Sequence, residues 1–130
     1  MVNKEACQAF YDKTVEHLFQ QGFQSVNSDG YCLYRGGGLD KSGMCAIGVH
    51  IPDSLYDTKM EGQSVARFVR EWPEIAPLIP SINLAMALQH VHDNVVSWCR
   101  SAGLTEDYGK SDLADIAVNF DLTPHPLLTS

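Results

Sequence analysis

Residues 82–101 read INLAMALQHVHDNVVSWCRS, and this stretch decides the fold class. Leu84, Leu88, Val91, Val95 and Trp98 recur at steps of four and three, the spacing of one apolar face of an α-helix. Ser81 stands directly before them as a cap, just after Pro80. The spacing predicts one helix over all of 82–101, the longest apolar surface in the chain.

Upstream, Val65, Phe68 and Val69 predict a helix over 63–71, with Arg67 and Arg70 outside. Pro73, Pro77 and Pro80 make a stiff connector between these two helices. Residues 4–21 predict a further helix. Cys7, Phe10, Tyr11, Thr14 and Leu18 form its inner stripe, Val15 and Phe19 widen it, Asn3 caps it and Gly22 stops it. Downstream, Leu113, Ile116, Ala117 and Phe120 predict a helix over 112–120 capped by Ser111, followed by an extended tail over 123–130. Residues 31–35 form a short β run, and a glycine-rich connection leads to the apolar run 44–51, stopped by Pro52. Pairing the two predicts a β-hairpin, with a strand over 43–46, a helical turn over 46–51 and Asp53 capping the turn after it. The expectation is one α+β domain over 1–130, mostly helical, with about four helices and a small β-hairpin inserted after the first.

Nine Lys and Arg face sixteen Asp and Glu, a net charge of −7. Lys and Arg bind phosphate backbones by displacing the counterions condensed on them, so nucleic acid is not an expected partner. Anionic lipid is disfavoured for the same reason, and no apolar run reaches the length of a membrane span. An acidic surface suits a basic protein partner. The start, Met1 to Glu5, carries no apolar leader, and the cysteines, Cys7, Cys32, Cys45 and Cys99, are sparse. Free, mostly buried thiols in a cytoplasm follow.

Candidate chemistry gathers around a few residues. No two cysteines have the C-x2–4-C spacing of a zinc turn, so no metal and no cofactor is expected. Cys45 follows a glycine-rich loop, where backbone N–H groups would favour a thiolate and His50 or His92 would act as base. Its neighbours Met44, Ala46 and Ile47 argue instead for an inert buried thiol. Gln89, His92 and Asp93 share one helix face, although adjacent side chains such as His92 and Asp93 diverge on a helix. In that setting His92 packs at the edge of the apolar stripe and satisfies a loop carbonyl. Arg35 is placed to bind an anion, or to pair with Asp53 or Asp93 and lock the hairpin on the helices. With the hairpin folded over the 82–101 helix, Arg35 is expected to meet His92 and Asp93.

One ordered set of words remains: Cys32-x-Tyr34-Arg35-Gly36, Cys45-Ala46-Ile47-Gly48, Ile51-Pro52-Asp53, Tyr56, Met60-Glu61-Gly62, then Leu88-Gln89-x-x-His92-Asp93 and Trp98. In this order, over about residues 31–122, it resembles small uncharacterised proteins encoded by tailed bacteriophages and prophages. The resemblance implies a phage or prophage setting and a bacterial cytoplasm, and carries no reaction. It marks Arg35, Cys45, Asp53, Glu61, Gln89, His92 and Asp93 as the candidate functional or structural polar cluster. The expected function is that of a small acidic accessory protein that binds a bacterial host protein, as a defence or regulatory inhibitor, without catalysis. The alternative is a small enzyme or ligand-binding domain whose site is built from Arg35, Cys45, His92 and Asp93.

Overall fold

Asn3 opens the first helix: its side chain accepts a hydrogen bond from the Ala6 amide at 3.1 Å. Helix α1, Lys4–Gln21, ends at Gly22, whose φ of 73° closes the last turn onto Leu18. The computed structural model describes residues 3–29, 31–38, 43–94, 97–99 and 103–128. Four α-helices lie within them, with two small antiparallel hairpins, which makes the fold α+β and mostly helical.

The inward face of α1 is Cys7, Phe10, Tyr11, Thr14, Val15 and Leu18, as its spacing requires. Its last turns hold the first hairpin. His17 Nε2 donates to the Met44 carbonyl at 2.8 Å and Gln21 Nε2 at 3.0 Å, while Gln21 Oε1 accepts from the Met44 amide at 2.8 Å.

That hairpin pairs β1, Arg35–Gly37, with β2, Gly43–Met44, a few residues later than the expected 31–35 strand. Residues 31–33 pair backwards instead. Val26 bridges Cys32, the Leu33 amide donates to the Ser25 carbonyl, and the Asn27 amide donates to Tyr31. The polar stretch 23–29 is thus a pairing partner rather than a simple connection. The helical turn expected over 46–51 is a 3-10 turn, Gly48–His50. Gly48 is required there, because a Cβ on it would lie 1.9 Å from the Tyr34 carbonyl oxygen.

Helix α2, Val65–Glu71, is capped by Ser64 and buries Val65, Phe68 and Val69. Helix α3, Ile82–Asp93, is capped by Ser81 and stops well short of the expected Ser101. Beyond it Trp98–Cys99 is a strand, β3, paired with β4, Gly103–Leu104. Two causes combine. Val95 and Val96 are β-branched and lie beside the aromatic Trp98, a composition that favours extended backbone. The His92 carbonyl, which a continuing helix would offer to the fourth residue on, is taken by Trp98 Nε1 at 2.9 Å and Gln24 Nε2 at 3.0 Å. Val95 lies outside the described residues.

The last helix is α4, Ser111–Asn119. Ser111 does not cap it: a π-turn over Glu106–Lys110 leads directly in, and Thr105 caps that turn by accepting from the Gly109 amide at 3.0 Å. The tail is not fully extended, since Pro126–Leu128 forms a 3-10 turn. It lies on α1, with Gln8 and Thr123 exchanging hydrogen bonds at 2.9 and 2.8 Å. The core between α1, α2, α3 and α4 holds Tyr11, Leu18, Ile47, Met60, Phe68, Ile75, Leu84, Leu88 and Leu113, all fully buried.

His50 gives the fold a pH dependence. Its ring stacks on Phe10 at 3.8 Å, and Nε2 donates to Thr14 Oγ1 at 2.7 Å, that hydroxyl in turn donating to Phe10. Burial, helped by the charge of Lys13 and by His17, lowers its pKa to about 3. The unfolded ring takes a proton near pH 6.5 and the folded one does not, so this stability is complete above pH 6.5 and is lost as pH falls toward 3. Urea unfolding at pH 7 and pH 4.5 is expected to show a drop about 2–3 kcal/mol larger in the native protein than in His50→Leu. Equal drops would show that His50 does not titrate this way.

Candidate functional site

The candidate residues divide into two clusters rather than one. The first is built on Glu61, at the exit of the 3-10 turn Thr58–Met60. Its carboxylate accepts from the Tyr34 amide at 2.8 Å, the Arg35 amide at 3.1 Å and the Tyr56 hydroxyl at 2.6 Å. Burial and this bond to Glu61 push the Tyr56 hydroxyl pKa up. Tyr34 adds a bond from its own hydroxyl to the Gln63 carbonyl at 2.6 Å.

Arg35 belongs to this cluster. Its guanidinium pairs with Asp53 and donates to the Ile51 carbonyl, and it lies over the Tyr56 ring at 5.4 Å. The expected meeting of Arg35 with His92 and Asp93 does not occur. Of the two pairings open to Arg35, the one with Asp53 is made. The reason is local: Glu61 binds the amides of residues 34 and 35, which turns β1 toward the 51–61 segment rather than toward α3.

The second cluster is built at the C-terminal end of α3. His92 is fully buried. Its Nε2 accepts from the Ser25 amide at 2.9 Å, and Nδ1 donates to Asp93 Oδ1 at 2.9 Å. His92 therefore serves a loop amide, not the loop carbonyl that its position suggested. Asp93 also reaches its neighbour despite their adjacency, because it is the last helical residue and Asn94 has already left the helix with ψ of 117°. Gln89 Nε2 donates to Asp93 Oδ1 at 2.8 Å and to Cys32 Sγ at 2.9 Å, so the shared helix face is real.

Two thiols meet here. The hydrogen bond with Cys45, followed by burial, pushes the Cys32 thiol pKa well above its ordinary value. Cys45 is fully buried, and its sulfur accepts from the Gly48 amide at 3.3 Å. His50 is engaged with Thr14 and His92 with Ser25, so neither imidazole is positioned as the base for Cys45. Cys7 is buried and Cys99 exposed, and no disulfide joins the four.

Cys32, His92 and Asp93 place a sulfur, a nitrogen and an oxygen within 4.8 Å of one another, a span that a divalent cation can bridge. The ring's own bonds oppose this use. Burial disfavours charge on the ring, while the bonds to Asp93 and Cys32 favour it and raise the pKa. The Ser25 N–H aimed at Nε2 keeps that nitrogen bare and the ring proton on Nδ1, the nitrogen bonded to Asp93. A metal on Nδ1 would leave Nε2–H facing the Ser25 N–H.

Beside the second cluster lies a cleft of about 400 Å³, lined by Gln24, Tyr31, Cys32, Gln63, Gln89 and Asp93 among others. Arg35 and Cys45 are not among its lining residues. Gln24, Ser25, Tyr31 and Gln63 are the residues that reading the sequence missed, since none stands in a periodic or motif-like setting.

No family model, no curated protein and no solved structure matches this chain.

Glu61→Ala would leave three donors without an acceptor and is expected to cost about 2–4 kcal/mol in urea unfolding. A cost near zero would show that the interlock is not structural. Addition of Zn2+ to metal-free protein is expected to leave the melting temperature unchanged. A saturable rise at one equivalent would show that His92 turns to ligate.

Proposed function

We propose that the protein is a small acidic accessory protein of phage or prophage character that binds a bacterial host protein in the cytoplasm, without catalysis. The observation that carries this reading is the engagement of His92. Its accepting nitrogen is bonded to the Ser25 amide, and the thiol beside it is raised in pKa, so the pair is arranged to hold the 23–34 loop on α3. The net charge of −7 adds to it, favouring a basic partner surface over nucleic acid. No helix among the described residues is long and apolar enough to cross a membrane.

A site built jointly from Arg35, Cys45, His92 and Asp93 would need the four to meet. The pairing of Arg35 with Asp53 and the burial of Cys45 weigh against it.

Affinity capture tests the reading. Tagged protein in bacterial lysate at physiological salt is expected to retain one discrete host protein, near stoichiometric and sensitive to added salt. Repeating the measurement by calorimetry with the purified partner should give a micromolar or tighter complex. Retention no greater than with the tag alone, or a turnover activity abolished by Cys32→Ser, would overturn it.

A further inference from the structure

The cleft beside α3 presents hydrogen-bond acceptors whose donors are missing. Gln89 is 8% exposed, and its amide nitrogen is engaged with Cys32 and Asp93, while its Oε1 is buried without a partner. Gln63, which also lines the cleft, donates from Nε2 to the Lys59 carbonyl at 3.0 Å, and its Oε1 is likewise buried without a partner. Asp93 accepts twice on Oδ1, and its second carboxylate oxygen takes no hydrogen bond from a described residue. The two amide orientations are fixed by what their nitrogens donate to, so both oxygens are acceptors.

Two buried acceptors left bare, the amide oxygens of Gln63 and Gln89, call for an explanation, and a ligand that brings hydrogens supplies one. Among the described residues, the cleft lining contains no Lys or Arg that could neutralise Asp93 from within. At its rim stands Tyr31, 72% exposed, on a turn fixed by Asn27, whose side chain accepts from the Asp29 and Tyr31 amides. An exposed tyrosine face beside a carboxylate is suited to a cation.

We propose that this cleft receives a guanidinium group, presented as an arginine side chain of the partner protein. The inference rests on the binding reading above and gives it a chemical specificity. A guanidinium is planar, always charged and carries five N–H donors in a fork. It can pair with the solvent-open carboxylate of Asp93 while one face lies on Tyr31, and the amide oxygens, buried without it, turn to its remaining N–H groups. An ammonium is a compact, strongly hydrated charge and gains less from such a flat, multi-acceptor wall. The chain's charge of −7 draws the same kind of partner.

The test is a two-dimensional NMR titration of 15N-labelled protein at constant ionic strength. The probes are a blocked arginine residue (acetyl-arginine methylamide), the matching blocked lysine, and free L-arginine. The blocked arginine is expected to give saturable shifts at the Gln63 and Gln89 side-chain amides and at Tyr31, with affinity about tenfold above blocked lysine. Tyr31→Ala, at an exposed rim position, should weaken it about three- to tenfold with folding intact. Gln89→Leu should weaken it more. Absence of saturable shifts, equal affinity for blocked lysine, or indifference to both substitutions would overturn the proposal. Tighter binding of free L-arginine than of the blocked residue would overturn the assignment to a partner's side chain. A failed titration alongside intact capture of a host protein would leave the binding reading standing, so the two are separable.

Discussion

The buried imidazole of His92 is the joint on which the rest of the molecule turns. Four hydrogen bonds converge on this residue. Its ring takes the Ser25 amide and gives to Asp93, and its carbonyl takes Gln24 and Trp98. The loop before the first hairpin, the end of α3 and the start of the second hairpin are thereby fixed to one another. An uncharged ring is what this arrangement needs, since one nitrogen must accept and the other must donate. The joint also decides where α3 ends, because its carbonyl is given to side chains rather than to the next helical turn.

The words that carry the phage resemblance acquire physical meaning from this structure. Tyr34, Arg35, Gly48, Asp53, Tyr56 and Glu61 are partners in one interlock. Glu61 binds two consecutive amides of the β1 entry, Gly48 admits the Tyr34 carbonyl, and Arg35 reaches across to Asp53. Cys32, Gln89, His92 and Asp93 form the second group, and all but the buried His92 line the cleft. A string that looks like one site in sequence is thus a scaffold plus a surface. The scaffold half holds its polar groups against each other, Arg35 Nε excepted, and the cleft half leaves the Gln89 amide oxygen unpaired.

Helices were the legible part of the fold. The α1 stripe, its Asn3 cap and its Gly22 stop follow directly from side-chain spacing and terminal chemistry, and so do Ser81 and the inner residues of α3. The end of α3 was not legible, because Val95 and Trp98 continue the apolar spacing, and only the folded chain shows that the indole of Trp98 and the distant side chain of Gln24 have taken the His92 carbonyl. The strand register slipped for a similar reason: residues 31–33 alternate equally well against 25–27, and nothing local favours the later partner. In the site, the shared face of Gln89 and Asp93 came from helical periodicity. Ser25 and Gln63 could not, since their importance lies in a backbone amide and in an amide oxygen left over after the nitrogen was used.

The grip of the tail on α1 has a consequence for the order in which the molecule is made. Tyr11 donates its hydroxyl to the Leu113 carbonyl at 2.8 Å, Lys4 pairs with Asp121 at 3.0 Å, and Gln8 exchanges hydrogen bonds with Thr123. Every one of these contacts spans more than a hundred residues. On a ribosome that adds about 5–20 residues per second, the first helix emerges many seconds before the segment that covers part of it. Its apolar stripe must wait, exposed or provisionally packed, until residues beyond 113 leave the exit tunnel. The earliest element of this chain is therefore among the last to be finished, and its folding rate is tied to long-range closure rather than to helix formation.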